Sequence, residues 1–347
     1  MPVSKWMCVF GMMGFLSFVK IANAQAPFTS PFWLPTGHLQ TIYPALFVSA
    51  DDVRYRRERW ELDDGDFIDV DWVNADDAPS INQPTVVLFH GLEGSSQSHY
   101  SKALMVEVSA RGWRGVVIHF RGCSGEPNRL PRAYFAGDTA EIEMMLTRVK
   151  SEVGNSPIYA VGVSLGGNAL LKWLGEEGAH AEQLVVKAAA VSAPMDLGAS
   201  ADTLDSGLDR WLYTPMFVKS MKVKALAKAE QFPDILDVEK IQNASTIHEI
   251  DRYVTAVLHG FNNEVDYYAK NAAKPWLPQI TVPTLIINAK NDPFIPAQSL
   301  PSAAEVSPAV TLEYPEEGGH VGFVHAPFPG HIDWLPKHLL SFFMGEY

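Results

Sequence analysis

The sequence contains little cysteine: Cys8 and Cys123 are the only two in 347 residues. Their spacing fits neither a zinc-ligand pattern nor a disulfide framework, and no disulfide between them is expected if the N-terminus is removed. Cys123 is interpreted as a small loop residue rather than as a redox-sensitive thiol. We therefore expect no bound metal ion, and no motif in the chain indicates a cofactor.

Basic residues are also scarce, because 27 Lys and Arg residues oppose 40 Asp and Glu residues, giving a formal net charge of −13. An acidic surface repels phosphate backbones, so this charge disfavours nucleic-acid binding. Polar low-complexity tracts are missing, and 47% hydrophobic with 19% charged residues is typical of a globular enzyme. The length allows one large α/β domain or two small ones.

Long hydrophobic runs are confined to the N-terminus. Lys5 precedes an apolar stretch over residues 6–19, and Ala22-Asn23-Ala24 follows it. This is the order of a signal peptide, and the stretch is short for a membrane-spanning helix. Residues 1–24 are therefore interpreted as a cleaved signal peptide, as an uncleaved anchor, or as the result of a start codon placed too early.

The first of these interpretations makes the protein periplasmic or secreted, and the last makes it cytoplasmic. Membrane contact is expected only through this N-terminal segment. Nothing in the sequence indicates an oligomeric state.

Strand-like apolar runs alternate with helix-like runs along the rest of the chain, which predicts a mostly parallel central sheet flanked by helices. After Ala193-Pro194 the alternation stops, and residues 195–271 are interpreted as a helical insertion that covers the site as a cap. The predicted strands of the sheet are 85–89, 115–120, 157–163, 185–191, 284–288 and 310–314. Of the main predicted helices, one follows the loop 90–94 and ends at residue 110, and the others span 138–149 and 332–344.

An aspartate-rich hairpin precedes this alternation. Asp63-Asp64-Gly65 separates two alternating runs, 55–62 and 67–73, as in a β-hairpin. The period of two predicts that Asp69 and Asp71 share one solvent-exposed face. The loop pattern of an EF-hand is missing, so calcium binding is not expected.

The stretch Gly162-Val163-Ser164-Leu165-Gly166 follows an apolar run and precedes a helix-like run. Strand, G-x-S-x-G and helix, in that order, are typical of a nucleophile elbow, in which a strained turn exposes the serine hydroxyl at a helix N-terminus. The alternative is an ordinary tight turn with a polar residue. The context favours Ser164 as a catalytic nucleophile.

A serine nucleophile needs a base, and the base needs an orienting carboxylate. Asp292 follows the predicted strand 284–288, and His320 follows the strand 310–314 after two glycines. Both are therefore expected at the carboxyl edge of the sheet, in the chain order Ser, Asp, His. His325 and His338 are weaker candidates for the base, with His338 expected on the surface, and Asp266 is a poor orienter because it precedes the last strands.

An oxyanion intermediate needs two N–H donors. The residue after the nucleophile, Leu165, is the first candidate. The second should come from the loop His90-Gly91-Leu92-Glu93-Gly94, in which we favour the Leu92 N–H over that of Gly91. His90 itself is expected to hydrogen-bond within this loop rather than to act as a base.

Five segments together resemble the YheT-type esterases, which belong to the AB-hydrolase-4 family of α/β-hydrolases. The match runs from about residue 28 to the C-terminus, and the first 25 or so residues depart from the family pattern. The segments are 32–42 (FWLPTGHLQTI), 90–95 (HGLEGS), 119–128 (HFRGCSGEPN), 162–168 (GVSLGGN) and 318–323 (GGHVGF).

The resemblance implies an α/β-hydrolase domain over residues 28–347, with a triad on Ser164, Asp292 and His320. It implies hydrolysis of carboxylic esters. The substrates would be small molecules, either esters with short to medium acyl chains or lipid-like esters. Two alternatives stay open: an acyltransferase that uses the same acyl-enzyme, and a non-catalytic binding protein on a hydrolase fold. The loop 121–129 has no role that the sequence assigns.

Overall fold

The computed structural model of the protein describes residues 27–48, 53–74 and 83–346. The N-terminal segment 1–24, with its signal-peptide, anchor and start-site interpretations, lies outside these residues, as does Cys8. Within the described ranges, no helix combines the length and the hydropathy that crossing a membrane requires.

An eight-stranded sheet forms the centre of the molecule. Its spatial order is β1-β2-β4-β3-β5-β6-β7-β8. β2 is antiparallel to both β1 and β4. The other six strands, in the spatial order β4, β3, β5, β6, β7 and β8, run parallel to one another. The strands are β1 (Arg56–Glu61), β2 (Phe67–Val73), β3 (Thr85–Phe89), β4 (Arg114–Ile118), β5 (Ile158–Val163), β6 (Lys187–Val191), β7 (Thr284–Ile287) and β8 (Val310–Glu313).

Helices cover both faces of this sheet, because its central strands are apolar on both sides and buried throughout. One apolar cluster includes α3 and α4, and the cluster on the other face includes α2 and the C-terminal α12. The framework helices are α1 (Gly37–Phe47), α2 (His99–Ala110), α3 (Thr139–Val153), α4 (Leu165–Glu177) and α12 (Trp334–Met344).

The chain between β6 and β7 is helical and has an apolar cluster of its own. A π-helical turn over Asp251–Thr255 joins two short α-helices, and a 3₁₀ turn over Lys274–Gln279 leads into β7. The helices are α5 (Leu197–Leu204), α6 (Asp209–Leu212), α7 (Thr214–Gln231), α8 (Val238–Asn243), α9 (Ile247–Ile250), α10 (Ala256–His259) and α11 (Glu264–Asn271).

The prediction that Asp69 and Asp71 face solvent is wrong. Both are buried, because β2 lies inside the sheet and long side chains from β1 cover its outer face. Arg57 forms a two-point ion pair with Asp71, at 2.8 Å for both N–O distances, and Arg59 pairs with Asp69 in the same way at 2.8 and 3.0 Å. Each carboxylate thus has its charge compensated inside the fold.

Asp71 also joins β2 to the neighbouring loops. It accepts hydrogen bonds from the Ser96 hydroxyl at 2.6 Å and from the His119 Nε2 at 3.0 Å. Burial by itself would raise the pKa of Asp71, but the hydrogen bonds from Arg57, His119 and Ser96 outweigh burial and lower it below its usual range.

The loop 121–129, which the sequence left without a role, is held to the hairpin by a buried ionic cluster. The Arg121 guanidinium contacts Asp66 at 2.9 Å and Glu141 at 2.7 Å. Asn128 donates from Nδ2 to the same Asp66 carboxylate at 2.7 Å, and the Arg129 N–H donates to it at 2.7 Å. The cluster fixes the loop beside the carboxyl ends of β3 and β4.

This cluster predicts a stability difference between two arginines of one loop. Arg121→Met should lower the free energy of unfolding by about 3–5 kcal/mol, because it leaves Asp66 buried without its cation and Glu141 with only Arg132, at 3.5 Å. Arg129→Met removes a surface pair with Glu61 and should change stability far less, since water screens that pair. Urea denaturation of both variants measures the difference, and equal losses would contradict the assignment.

Candidate active site

Ser164 occupies a strained turn between β5 and α4. β5 ends at Val163 and α4 begins at Leu165, so Ser164 alone forms the connection. Its backbone has φ 51° and ψ −122°, a conformation that side-chain-bearing residues rarely adopt. The Ser164 N–H donates to the Val191 carbonyl of β6 at 2.8 Å, which holds the turn in place.

The glycines on either side are required by close backbone contacts. A Cβ on Gly162 would lie 2.5 Å from the Gly166 carbonyl oxygen. A Cβ on Gly166 would lie 2.4 Å from the Phe89 oxygen and 2.5 Å from the His90 oxygen. The elbow therefore packs directly against the end of β3, with backbone facing backbone.

Three predicted site residues come together at the carboxyl edge of the sheet. The His320 Nε2 lies 3.1 Å from the Ser164 Oγ. On the other side of the ring, Nδ1 lies 2.9 and 3.1 Å from the two Asp292 oxygens. A carboxylate at Nδ1 stabilises the tautomer with the proton there, which leaves Nε2 as the acceptor facing the serine hydroxyl.

The environment of this trio is enclosed. Asp292 and His320 are both buried. The Asp292 Oδ1 also accepts the Phe294 N–H at 2.8 Å, and the Phe294 ring lies 4.3 Å from the His320 ring between centroids. The carboxylate and the imidazole are thus each held from two directions.

The rival residues lie elsewhere. Asp266 sits on α11 and pairs with Lys270 at 2.9 Å. His325 contacts Asp333 at 2.7 Å. The expectation that His338 lies on the surface is wrong: it is buried, and its Nε2 contacts Glu313 at the end of β8 at 2.8 Å, because that face of α12 packs on the sheet.

The hydrogen bonds of the loop 90–94 single out one N–H. The Gly91 N–H donates to the Tyr100 hydroxyl, and the Glu93 N–H donates to the Tyr134 hydroxyl, both at 2.9 Å. The Gly94 N–H donates to the Gly91 oxygen at 3.0 Å. Among the described residues, the Leu92 N–H donates to no protein atom.

The Leu165 N–H is the second N–H group near Ser164 that has no acceptor among the described residues. As the first residue of α4 it has no carbonyl one turn earlier to donate to, and no other protein atom in the described part of the chain accepts from it. Leu92 and Leu165 line the same cavity as Ser164. The two tyrosines that occupy the neighbouring amides, Tyr100 and Tyr134, were not found by sequence reasoning, since nothing local marks such distant contacts.

His90 hydrogen-bonds within its loop, as predicted. Its Nδ1 lies 2.8 Å from the Gly91 oxygen, and its Nε2 accepts the Phe120 N–H at 3.1 Å. Burial lowers the pKa of His90 to about 3, so the ring is neutral at physiological pH. Both ring nitrogens are occupied, and the residue shapes the loop.

A cavity of about 550 Å³ opens over Ser164 and His320. The loop 121–129 forms part of its wall, through residues that include Cys123 and Asn128. The rest of the wall comes largely from the helices between β6 and β7. Their apolar contributions include Leu197, Ala201, Leu204, Phe217, Met221, Ile247, Ile250, Val254 and Leu258.

Charged groups in the cavity wall are paired within the protein. Lys224 contacts Glu93 at 2.8 Å, and the buried Lys228 donates to the carbonyl oxygens of Asn128 and Leu130. Asp251 accepts from the Thr255 and Tyr268 hydroxyls at 2.7 Å each, and burial raises its pKa to about 6. An entering ligand therefore meets a mostly apolar surface with few free charges.

One group of side chains outside the cavity has ligand atoms in metal-binding proximity. Glu143, Glu177 and His180 place one such atom each within 4.8 Å of one another. Glu177 and His180 lie at the opposite end of α4 from Ser164, and Glu143 already accepts from the Trp173 Nε1 at 2.7 Å. Exposed acidic groups of this kind are common without a bound ion.

Comparison with known proteins places the chain among α/β-hydrolases. The family model for the alpha/beta hydrolase fold matches residues 84–226. Putative esterase YheT of Escherichia coli is 41% identical over 305 residues, which is 87% of this chain and 88% of that protein. Human phospholipase ABHD3 is 28% identical over 331 residues, covering 92% of this chain and 80% of its own.

A solved structure supports the same fold. Alpha/beta hydrolase domain-containing protein 10 from mouse superposes with a TM-score of 0.53 at 12% identity, covering 84% of this chain and all of that chain (100%). The predicted fold class, a mostly parallel central sheet flanked by helices in the α/β-hydrolase arrangement, is confirmed.

The elbow predicts a large effect of one added methyl group. Gly166→Ala should destabilise the protein and displace the end of β3, because the new Cβ would overlap two carbonyl oxygens. Gly198→Ala on α5 is the matched control, since its Cβ would meet no atom closer than 3.7 Å, and alanine favours a helix. Thermal unfolding compares the two, and a Gly166→Ala midpoint at or above that of Gly198→Ala would contradict the elbow geometry.

Proposed function

The chain belongs to the YheT-type esterases of the AB-hydrolase-4 family, within the α/β-hydrolase superfamily, and we propose that it cleaves esters through an acyl-enzyme formed on Ser164. It is a carboxylic ester hydrolase. The observation that carries the mechanism is the continuous contact from Ser164 Oγ to His320 and from His320 to Asp292.

In this mechanism the Ser164 Oγ attacks the ester carbonyl carbon while the His320 Nε2 takes the hydroxyl proton. The tetrahedral intermediate collapses, the C–O bond to the alcohol breaks, and His320 returns that proton to the leaving alcohol. Water then attacks the acyl group with His320 again as the base, which releases the acid and restores the serine. Asp292 stabilises the imidazolium in both halves.

The negative charge on the carbonyl oxygen requires donors beside Ser164. The N–H groups of Leu92 and Leu165 supply them in our proposal, because they line the cavity and are uncommitted among the described residues. The N-terminus of α4 adds the favourable end of its dipole. A donor in this role contributes about 3–4 kcal/mol of transition-state stabilisation.

The cavity bears on the substrate class. Its volume of about 550 Å³ lies in the range of small-molecule sites, and its mostly apolar wall suits an acyl chain rather than a charged ligand. We propose that the helices of residues 195–271 act as a cap whose inner face selects the acyl chain. Short- to medium-chain esters and lipid-like esters fit this wall, and the human relative is named a phospholipase.

The nucleophile is tested by Ser164→Ala, with Ser151→Ala on the exposed side of α3 as control. Hydrolysis of p-nitrophenyl butyrate by Ser164→Ala should fall on the order of 10⁴-fold or more, because the residual rate comes only from binding and the oxyanion donors. Ser151→Ala should retain the wild-type rate. Substantial activity in Ser164→Ala would refute the acyl-enzyme. In mixtures of an ester and an alcohol, the ratio of new ester to free acid separates an acyltransferase from a hydrolase.

The acyl site is tested with p-nitrophenyl esters of increasing chain length. kcat/KM should rise from the acetyl ester towards medium chains, because each buried methylene contributes up to about 0.8 kcal/mol. Ala201→Leu, which narrows the cavity from α5, should shift the optimum to shorter chains and leave the acetyl ester unaffected. A flat profile, or the same profile in both proteins, would contradict an acyl site under these helices.

A further inference from the structure

Helix α1 lies between the two loops that carry Asp292 and His320. It begins after Thr36, whose hydroxyl accepts the Leu39 N–H, and it contains residues 37–42 of the segment 32–42, one of the five that gave the sequence resemblance and one without an assigned role. None of the residues of α1 lines the cavity over Ser164 within the described ranges. Any effect of α1 on the reaction is therefore indirect: the His38 Nδ1 lies 3.2 Å from the Tyr213 hydroxyl of the helical insertion, and Gln40 and Thr41 contact the two loops.

Gln40 joins both loops with one buried side chain. Its Oε1 accepts the Gly318 N–H at 2.8 Å and the Asn291 Nδ2 at 2.9 Å. Its Nε2 donates to the Leu34 oxygen at 2.7 Å, which fixes the amide orientation. Gln40 is fully buried, so water cannot replace these partners.

Asn291 completes the link between the loops. It precedes Asp292 directly, and its Oδ1 accepts the Gly319 N–H at 3.0 Å. The residue before the carboxylate and the two glycines before His320 are thus bound into one network around Gln40.

Thr41 contacts His320 directly. Its Oγ1 accepts the backbone N–H of His320 at 2.8 Å and donates to the Gly37 oxygen at 2.7 Å. The second bond directs the hydroxyl proton away from His320, which leaves a lone pair for the histidine amide.

The backbone of α1 is in close contact with the backbone of both loops. A Cβ on Gly37 would lie 1.9 Å from the Asn291 oxygen, and a Cβ on Gly322 would lie 1.9 Å from the Gln40 oxygen. The helix therefore contacts the aspartate loop on one side and the histidine loop on the other.

We propose that Gln40 and Thr41 are positioning residues that align His320 with Asp292 and Ser164. The inference rests on the proposed triad, and neither residue touches the substrate. The anchored amide sets where the His320 ring lies, and displacement by about 1 Å at a catalytic group costs on the order of 100-fold in rate. Loss of these bonds should slow the chemical step and leave substrate binding intact.

The test replaces the Thr41 hydroxyl by a methyl group of similar size. Thr41→Val should lower kcat for p-nitrophenyl butyrate at least tenfold with KM within twofold, and Thr41→Ser should recover most of the loss. Labelling of Ser164 by a fluorophosphonate should slow in proportion to kcat. Gln40→Met, which keeps the side-chain length and removes all three bonds, should give the same pattern.

Thr284→Val is the matched control, because it removes another buried hydroxyl that donates to a backbone carbonyl, at the opposite end of β7. Thr284→Val and Thr41→Val should both lower the unfolding temperature, because each removes a buried hydrogen bond. Thr284→Val should nevertheless keep the wild-type kcat. A Thr41→Val kcat within twofold of wild type, or an equal loss in Thr284→Val, would overturn the inference. A wild-type protein without esterase activity or labelling would instead refute the proposed function.

Discussion

Direct contact between backbone segments at the carboxyl edge of the sheet is the constraint on which the site depends. At the elbow, Gly162 lets the start of α4 lie against β5, and Gly166 lets it approach the end of β3. At the other end of the site, Gly37 and Gly322 let α1 contact the loops of Asp292 and His320. These contacts bring three loops together, so the strained conformation of Ser164 and the position of His320 are both consequences of dense packing.

The residues that follow strands could be predicted from the sequence, and those held by distant contacts could not. Ser164 comes directly after β5, and Asp292 and His320 lie in the loops that follow β7 and β8, so the chain order and the strand ends suffice to bring them to one edge of the parallel sheet. Gln40 and Thr41 meet their partners about 280 positions along the chain, and no local pattern marks such a contact.

The burial of Asp69 and Asp71 on β2, where the sequence predicts exposure, has a physical cause of the same kind. Alternation of aspartates with apolar residues predicts a solvent face, but the outer strand supplies Arg57 and Arg59, which cover that face with their ion pairs. The carboxylates that the sequence of β2 alone predicts to be exposed are therefore buried by side chains of β1. A second ionic cluster, around Arg121 and Asp66, holds the loop 121–129, which forms part of the cavity wall.

The roles proposed for His320, Asp292 and the oxyanion donors all depend on ester cleavage through an acyl group on Ser164. Its most direct measurement is mass spectrometry of the protein quenched in acid within milliseconds of mixing with excess p-nitrophenyl butyrate. A butyryl group is expected on the peptide that contains Ser164, at no more than one per chain. A protein that turns over the ester while this peptide stays unmodified, or that carries the acyl group on another residue, would contradict it.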